Sequence, residues 1–141
     1  MDFMTSFKIC GSGLAAQRAR MDVITSNLAN VNSTRTDEGG PYKKKSVALS
    51  AEAVDSPFDS AIKDAIKTVR IEEVTEDPNA VKMTYDPSHP DADANGYVAM
   101  PDINIMTEMA DMIMAARGCE ACVTAFDATK SMTLKTLEMG R

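Results

Sequence analysis

Two heptad seams, one at each end of the chain, constrain the fold more than any other feature. Phe3, Phe7, Cys10, Leu14, Gln17, Met21, Ile24, Leu28 and Val31 recur in alternating steps of four and three. Residues at those steps share one face of a helix, so the spacing predicts an amphipathic helix with a coiled-coil-like seam, broken only by Gln17. Near the other end, Ile105, Met109, Met112, Ala116, Cys119, Val123, Phe126 and Leu137 keep the same rhythm. Lys130 and Thr133 are lapses in it, and Met106 and Ile113 widen the stripe. Pro101-Asp102 supplies a start for this second helix and Gly140 a stop.

The expected fold is therefore mainly α. Long N- and C-terminal helices (1–33 and 103–141) pair as an antiparallel coiled-coil-like hairpin and form one discontinuous core domain. A small irregular or β-rich insert (34–102) lies between them. Pairing end to end would place Gln17 within one to two turns of Lys130 and Thr133, gathering the polar breaks at one level. It would also put Cys10 well away from Cys119. A two-helix hairpin buries little of its own surface, and apolar residues here occupy more than one face. The remainder is expected to be covered by other molecules.

The insert differs in kind. Residues 32–42 (NSTRTDEGGPY) are turn-rich. Ser46–Leu49 reads as a short strand and 51–66 as irregular, with room for one helical turn. Val69–Val74 alternates like a strand, and Ala80–Tyr85 is expected to pair with it across the Asp77-Pro78-Asn79 turn. Residues 86–96 (DPSHPDADANG) read as loop.

Composition narrows function by exclusion. A net charge of −6 gives no general attraction for phosphate backbones, so no nucleic acid is expected as a partner. Lys43-Lys44-Lys45 is too narrow a basic footprint for one. No apolar run suits a membrane span or a secretory signal, which by composition alone suggests the cytoplasm. Cys119 and Cys122 form a C-x-x-C pair, but deep inside a predicted helix rather than at the N-terminus where amides acidify a thiol. Asp91, Asp93, Asn95 and Gly96 copy the start of an EF-hand loop, yet Asp86-Pro-Ser-His-Pro90 cannot be its entering helix. His89, the only histidine, has no nucleophile placed with it. No catalytic residue, metal site, cofactor or small-molecule substrate is expected.

Specificity enters with longer motifs. Met21-Asp-Val-Ile-Thr-Ser-Asn-Leu-Ala-Asn-Val-Asn-Ser-Thr-Arg-Thr36 resembles the N-terminal motif of bacterial flagellar axial proteins, the rod and hook subunits. Gly39-Gly40-Pro41-Tyr42-Lys-Lys-Lys45 narrows the resemblance to the proximal rod. Tyr85–Asp93, Gly96–Asn104, Glu108–Ile113 and Leu137–Arg141 are similar to that family too, with a looser fit across 46–80. The motif residues carried over are Asn27, Asn30, Asn32, Arg35, Gly39, Gly40 and Pro41. One departure stands out: Cys119 and Cys122 replace a Tyr and an Asn common in the family after the Arg matching Arg117. Closer helix approach is expected there.

The resemblance implies a structural subunit of the drive shaft that polymerises helically through its terminal helices. It implies partners: copies of the chain, other rod and rod-base subunits such as FlgB and FliE, and the flagellar type III export apparatus. It implies export without a cleaved signal and a final place in the periplasmic rod, replacing the cytoplasmic expectation. By itself the Asn-rich stretch reads as a helix end with polar punctuation, since short amides bond backbone groups at turns.

Overall fold

The computed structural model describes residues 3–37, 39–53 and 66–140. Two helices flank two small antiparallel sheets: α1 (Phe3–Ala29), β1 (Lys45–Ala53), β2 (Lys67–Glu76), β3 (Val81–Tyr85), β4 (Tyr97–Pro101) and α2 (Ile105–Met139). The terminal helices and the β-rich insert agree with the sequence reading. Part of segment 51–66, the stretch 54–65, lies outside the described residues.

Contacts between the helices run in opposite senses. Asn27 meets Glu108, a Cβ built on Gly118 would reach Gln17, one built on Gly13 would reach Cys122, and the Phe7 and Phe126 rings pack 4.8 Å apart. Numbers fall along one helix as they rise along the other. This register overturns the expected grouping of polar breaks. Gln17 faces Gly118, so Lys130 lies twelve residues away, roughly 18 Å along the axis.

The helix ends follow from their residues. Asn104 caps α2, its side-chain oxygen accepting from the amides of Met106 (3.0 Å) and Thr107 (3.4 Å). The start thus falls just beyond Pro101-Asp102, while Gly140 closes the helix as expected. At the end of α1, the Asn30 amide donates to the Ser26 carbonyl, and the Ser33 hydroxyl donates to Asn30 Oδ1. The Ser26 carbonyl also accepts from the Asn30 backbone amide at 3.1 Å. Gly39 and Gly40, at φ +86° and +90°, then turn the chain where a side chain would be strained.

The strands pair differently from expectation. β2 pairs with β1 rather than with β3, and β3 pairs with β4. The Asp77 side chain closes a turn by accepting from the Asn79 amide, and the Asp77 amide donates to the Lys44 carbonyl at the start of the β1–β2 ladder. Asp77 thus extends the ladder of β2 with β1, and the chain beyond it pairs with β4 instead, with Val81 opposite Pro101. β1 and β2 form a two-faced ribbon with a bulge between Ala48 and Leu49. Val47/Val74, Leu49/Ile71 and Ala51/Val69 line one face; Ser46/Thr75, Ser50/Arg70 and Glu52/Thr68 line the other. The ribbon packs along α1, where the Val69 amide donates to Ser12 Oγ.

Candidate assembly site

Asn27 is 1% exposed and uses all four of its hydrogen-bonding positions. Its Nδ2 donates to the Lys45 carbonyl (2.9 Å) and to Glu108 Oε2 (3.1 Å). Its Oδ1 accepts from the Tyr42 hydroxyl (3.1 Å) and the Lys45 amide (3.0 Å). Glu108, itself buried, meets Lys44 Nζ through its other oxygen at 2.8 Å. One side chain thus ties the last turns of α1, the Gly39–Lys45 loop and the first turn of α2. Leaving any of these buried groups unpaired costs about 1–3 kcal/mol. Lys44 is about a third exposed, so solvent screens its share of the ion pair.

Beyond this hub the helices meet through small residues. Ala16, Ala115 and Thr129 are buried, and Gly13 and Gly118 lie on the contact line. A Cβ on Gly118 would stand 2.9 Å from Gln17 Cδ, and one on Gly13 would stand 3.2 Å from Cys122 Sγ. The helices approach closely at Gly118 and at Cys122. Burial raises the Cys122 thiol above its ordinary pKa, reinforced by neighbouring Cys10 and Cys119. That is the opposite of an activated redox thiol. Cys10 therefore lies nearer the pair than end-to-end pairing implied. Gln17 Oε1 is buried without a hydrogen-bond partner among the described residues.

The apolar residues read as a seam divide into two sets. In α1, Ile24 is buried, Phe7, Met21 and Leu28 are half-buried, and Phe3 and Leu14 are exposed; Val31, just past the helix, is half-buried. In α2, Met112 and Ala116 are half-buried, whereas Ile105, Met109, Val123, Phe126 and Leu137 are exposed. The line of contact on α2 runs through Glu108, Ala115, Cys122 and Thr129, one residue before Met109, Ala116, Val123 and Lys130. On α1, Gly13 and Asn27 take the matching place, one residue before Leu14 and Leu28. Small residues let the axes approach and so occupy the centre, which pushes the larger apolar side chains onto the flanks. Thr133, a lapse by apolarity, is half-buried and bonds the Thr129 carbonyl.

The motif residues also have separate places. Asn27 is central, Asn30 caps the helix, and Gly39, Gly40 and Pro41 form the turn that delivers Tyr42. Asn32 and Arg35 are exposed. Glu108, Tyr42 and Lys44 were missed as site residues; the available signal was an acidic residue in the heptad row of Ala115 and Cys122. In the EF-hand-like segment, Asp91 accepts from the Thr34 hydroxyl at 2.8 Å. Among the described residues no three His, Cys, Asp or Glu side chains lie close enough to hold a metal ion.

Comparison with known families matches these two helical ends. Residues 8–35 match the model of the flagella basal body rod protein, and 94–139 match that of the flagellar basal body rod FlgEFG protein C-terminal region. The fold and site thus define an axial subunit of the flagellar rod class. The chain is 41% identical to the flagellar basal-body rod protein FlgC of Bacillus subtilis, covering 96% of this chain and 97% of that one. It is 38% identical to FlgC of Salmonella typhimurium over the whole of both chains, and 38% identical to FlgC of Borreliella burgdorferi over 94% and 93%. The chain belongs to the FlgC family of flagellar basal-body rod proteins. It is a structural subunit of the basal body and not an enzyme.

Proposed function

We propose that α1 and α2 form an antiparallel coiled-coil-like hairpin, one discontinuous core domain drawn from 1–33 and 103–141, with 34–102 as its insert. Hairpins of successive copies polymerise helically in the proximal rod, beside other rod and rod-base subunits such as FlgB and FliE. Long helices in mutual contact supply the axial stiffness that torque transmission requires. The chain reaches the periplasmic rod through the flagellar type III apparatus, without a cleaved signal.

The observation that carries this reading is the exposed apolar surface of α2. Ile105, Met109, Ile113, Met114, Val123, Leu134 and Leu137 are between 46% and 68% exposed along a single helix. Isolated soluble proteins seldom leave so long an apolar surface open. Flexible methionines suit contacts with several non-identical neighbours. The relatives' description as basal-body rod proteins points to other rod components as those neighbours.

Complementation of a strain lacking its own copy tests the proposal, with rods scored by electron microscopy. The chain should restore rods and swimming. Met109→Asp and Val123→Asp should keep the monomer's helical circular dichroism, because both sites are exposed, yet abolish rods. Normal motility from both variants would refute α2 as the assembly surface.

A further inference from the structure

Both sheets are two-stranded, so every strand has one edge outside its ladder. Bonds at the ladder ends fix which residues turn their backbone groups outward. Asn27 takes both the amide and the carbonyl of Lys45, and Val69, opposite Ala51, sends its amide to Ser12. Antiparallel pairs alternate between bonded and unbonded, so Val47, Leu49 and Ala51 also point their amides and carbonyls away from β2. In the second sheet the Asp86 amide donates to the Gly96 carbonyl and the Asp102 amide to the Ala80 carbonyl. Those bonds leave Val81, Met83 and Tyr85 as the outward residues of β3. Among the described residues no hydrogen bond from outside the ladders reaches the backbone of Val47, Leu49, Ala51, Val81, Met83 or Tyr85. The other two edges are blunted. Ser12 holds the Val69 amide, the Asp93 amide donates to the Tyr97 carbonyl, and Pro101 has no amide to give. Leu49, Met83 and Tyr85 are 38%, 58% and 65% exposed, and a cavity lined by Val47, Val23 and Arg20 leaves the near end of the β1 edge open.

An open strand edge is a template for another strand. The β1 and β3 edges match each other when set antiparallel. Val47 then faces Tyr85, Leu49 faces Met83 and Ala51 faces Val81, giving apolar pairs along one face and about six backbone hydrogen bonds between the strands. On the other face Ala48 meets Thr84 and Ser50 meets Lys82, with Glu52 on the diagonal beside that lysine. The parallel alternative, Leu49 still facing Met83, sets Glu52 directly opposite Asp86, a like-charge contact. Within one chain the two edges belong to separate sheets.

We propose that β1 of one copy takes β3 of a second copy as an added antiparallel strand, with Leu49 opposite Met83. Each chain offers one edge of each kind, so the contact joins different surfaces on the two copies. Such a heterologous contact repeats from copy to copy and propagates an open helix, whereas β1 on β1 or β3 on β3 would close a dimer and stop. The inference rests on the rod reading and adds to it a specific pair of surfaces outside the helical core.

Ser50→Cys combined with Lys82→Cys, in full-length protein assembled into rods in a strain lacking its own copy, tests it. These positions face each other at an unbonded pair of the added ladder, where side chains stand closest. Mild oxidation should give a ladder of linked chains on a non-reducing gel, with the 50–82 bridge identified by mass spectrometry. The unmodified chain and each single substitution should give no such ladder. Leu49→Pro spares the bonds of β1 to β2, because the lost amide points outward, and should lower the bridge yield on the order of tenfold. Met83→Pro should do the same from the other edge. Circular dichroism of each variant reports folding separately; where a proline unfolds the chain, the 50–82 bridge alone decides. No bridge, a 50–50 or 82–82 bridge, bridges only within a chain or only to a different protein, or a yield indifferent to both prolines would each overturn the inference. If the unmodified chain restored rods in that same strain, the rod reading would survive such a result; if it did not, both would fall.

Discussion

At the level of Asn27 and Glu108 the two helices meet through polar groups whose hydrogen-bonding positions are filled, whereas at Gln17 they meet over a bare glycine beside an unpaired carbonyl oxygen. Both levels hold the same helices, so the contrast separates two means of fixing them. The hub specifies one arrangement, because any slip in register would strand Asn27, Glu108 and Tyr42 in a buried site. The middle supplies proximity: small residues bring the axes together and leave one amide oxygen unpaired. Register is therefore carried by the hub, and close approach by Gly13, Ala16, Ala115 and Gly118. The hub is also where the insert joins the helices, so the same residues aim both.

Substitutions at the two levels should differ in size. Asn27→Ala strips partners from Glu108, Tyr42 and the Lys45 amide together, and should destabilise the monomer by about 3 kcal/mol in urea unfolding. A loss under about 1 kcal/mol would mean that water replaces the hub freely. Gly118→Ala should cost about 1–2 kcal/mol, since crowding of Gln17 outweighs the gain in helix propensity. In a Gln17→Ala background the same change should become neutral or stabilising, and a double-mutant cycle reads this coupling. Gln17→Met removes the orphaned oxygen at similar length and should stabilise by about 1 kcal/mol. The smallest effect concerns thiol chemistry. Because the Cys122 pKa is raised, its thiolate is scarce at neutral pH, and its maleimide labelling should accelerate only as pH rises beyond the ordinary thiol range. Fast labelling at neutral pH would contradict the burial seen here. Cys119→Ser with Cys122→Ser should leave swimming intact, separating packing from redox roles.

The two helices were legible because a four-three apolar rhythm survives over many turns. The line of closest approach lies one residue from part of the expected seam, at Gly13 and Cys122 rather than Leu14 and Val123, because apolarity was weighed above size. Leu14 and Met109 are the more hydrophobic, yet Gly13, Ala115 and Cys122 are what fit between close axes, while Phe7 still meets Phe126 across the pair. The strands at 46–49, 69–74 and 80–85 were visible in their alternation, but alternation identifies a pleated face and says nothing of its partner. No strand was expected at Tyr97–Pro101, since five residues ending in Pro carry little strand signal. Asn27 drew attention as part of a family motif and as turn punctuation. Its burial depends on Glu108, 81 residues away, and no local pattern encodes that distance.

The register of α1 against α2 is the claim on which the hub, the exposed apolar surface and the assembly unit all rest. Gly13→Cys in a background of Cys10→Ser and Cys119→Ser tests it directly, because a Cβ at residue 13 stands 3.2 Å from Cys122 Sγ. Mild oxidation of protein recovered from assembled rods should give a bridge within one chain between positions 13 and 122, seen by peptide mass spectrometry as near-complete loss of free thiol. Retained free thiols, or bridges formed only between chains, would contradict the account.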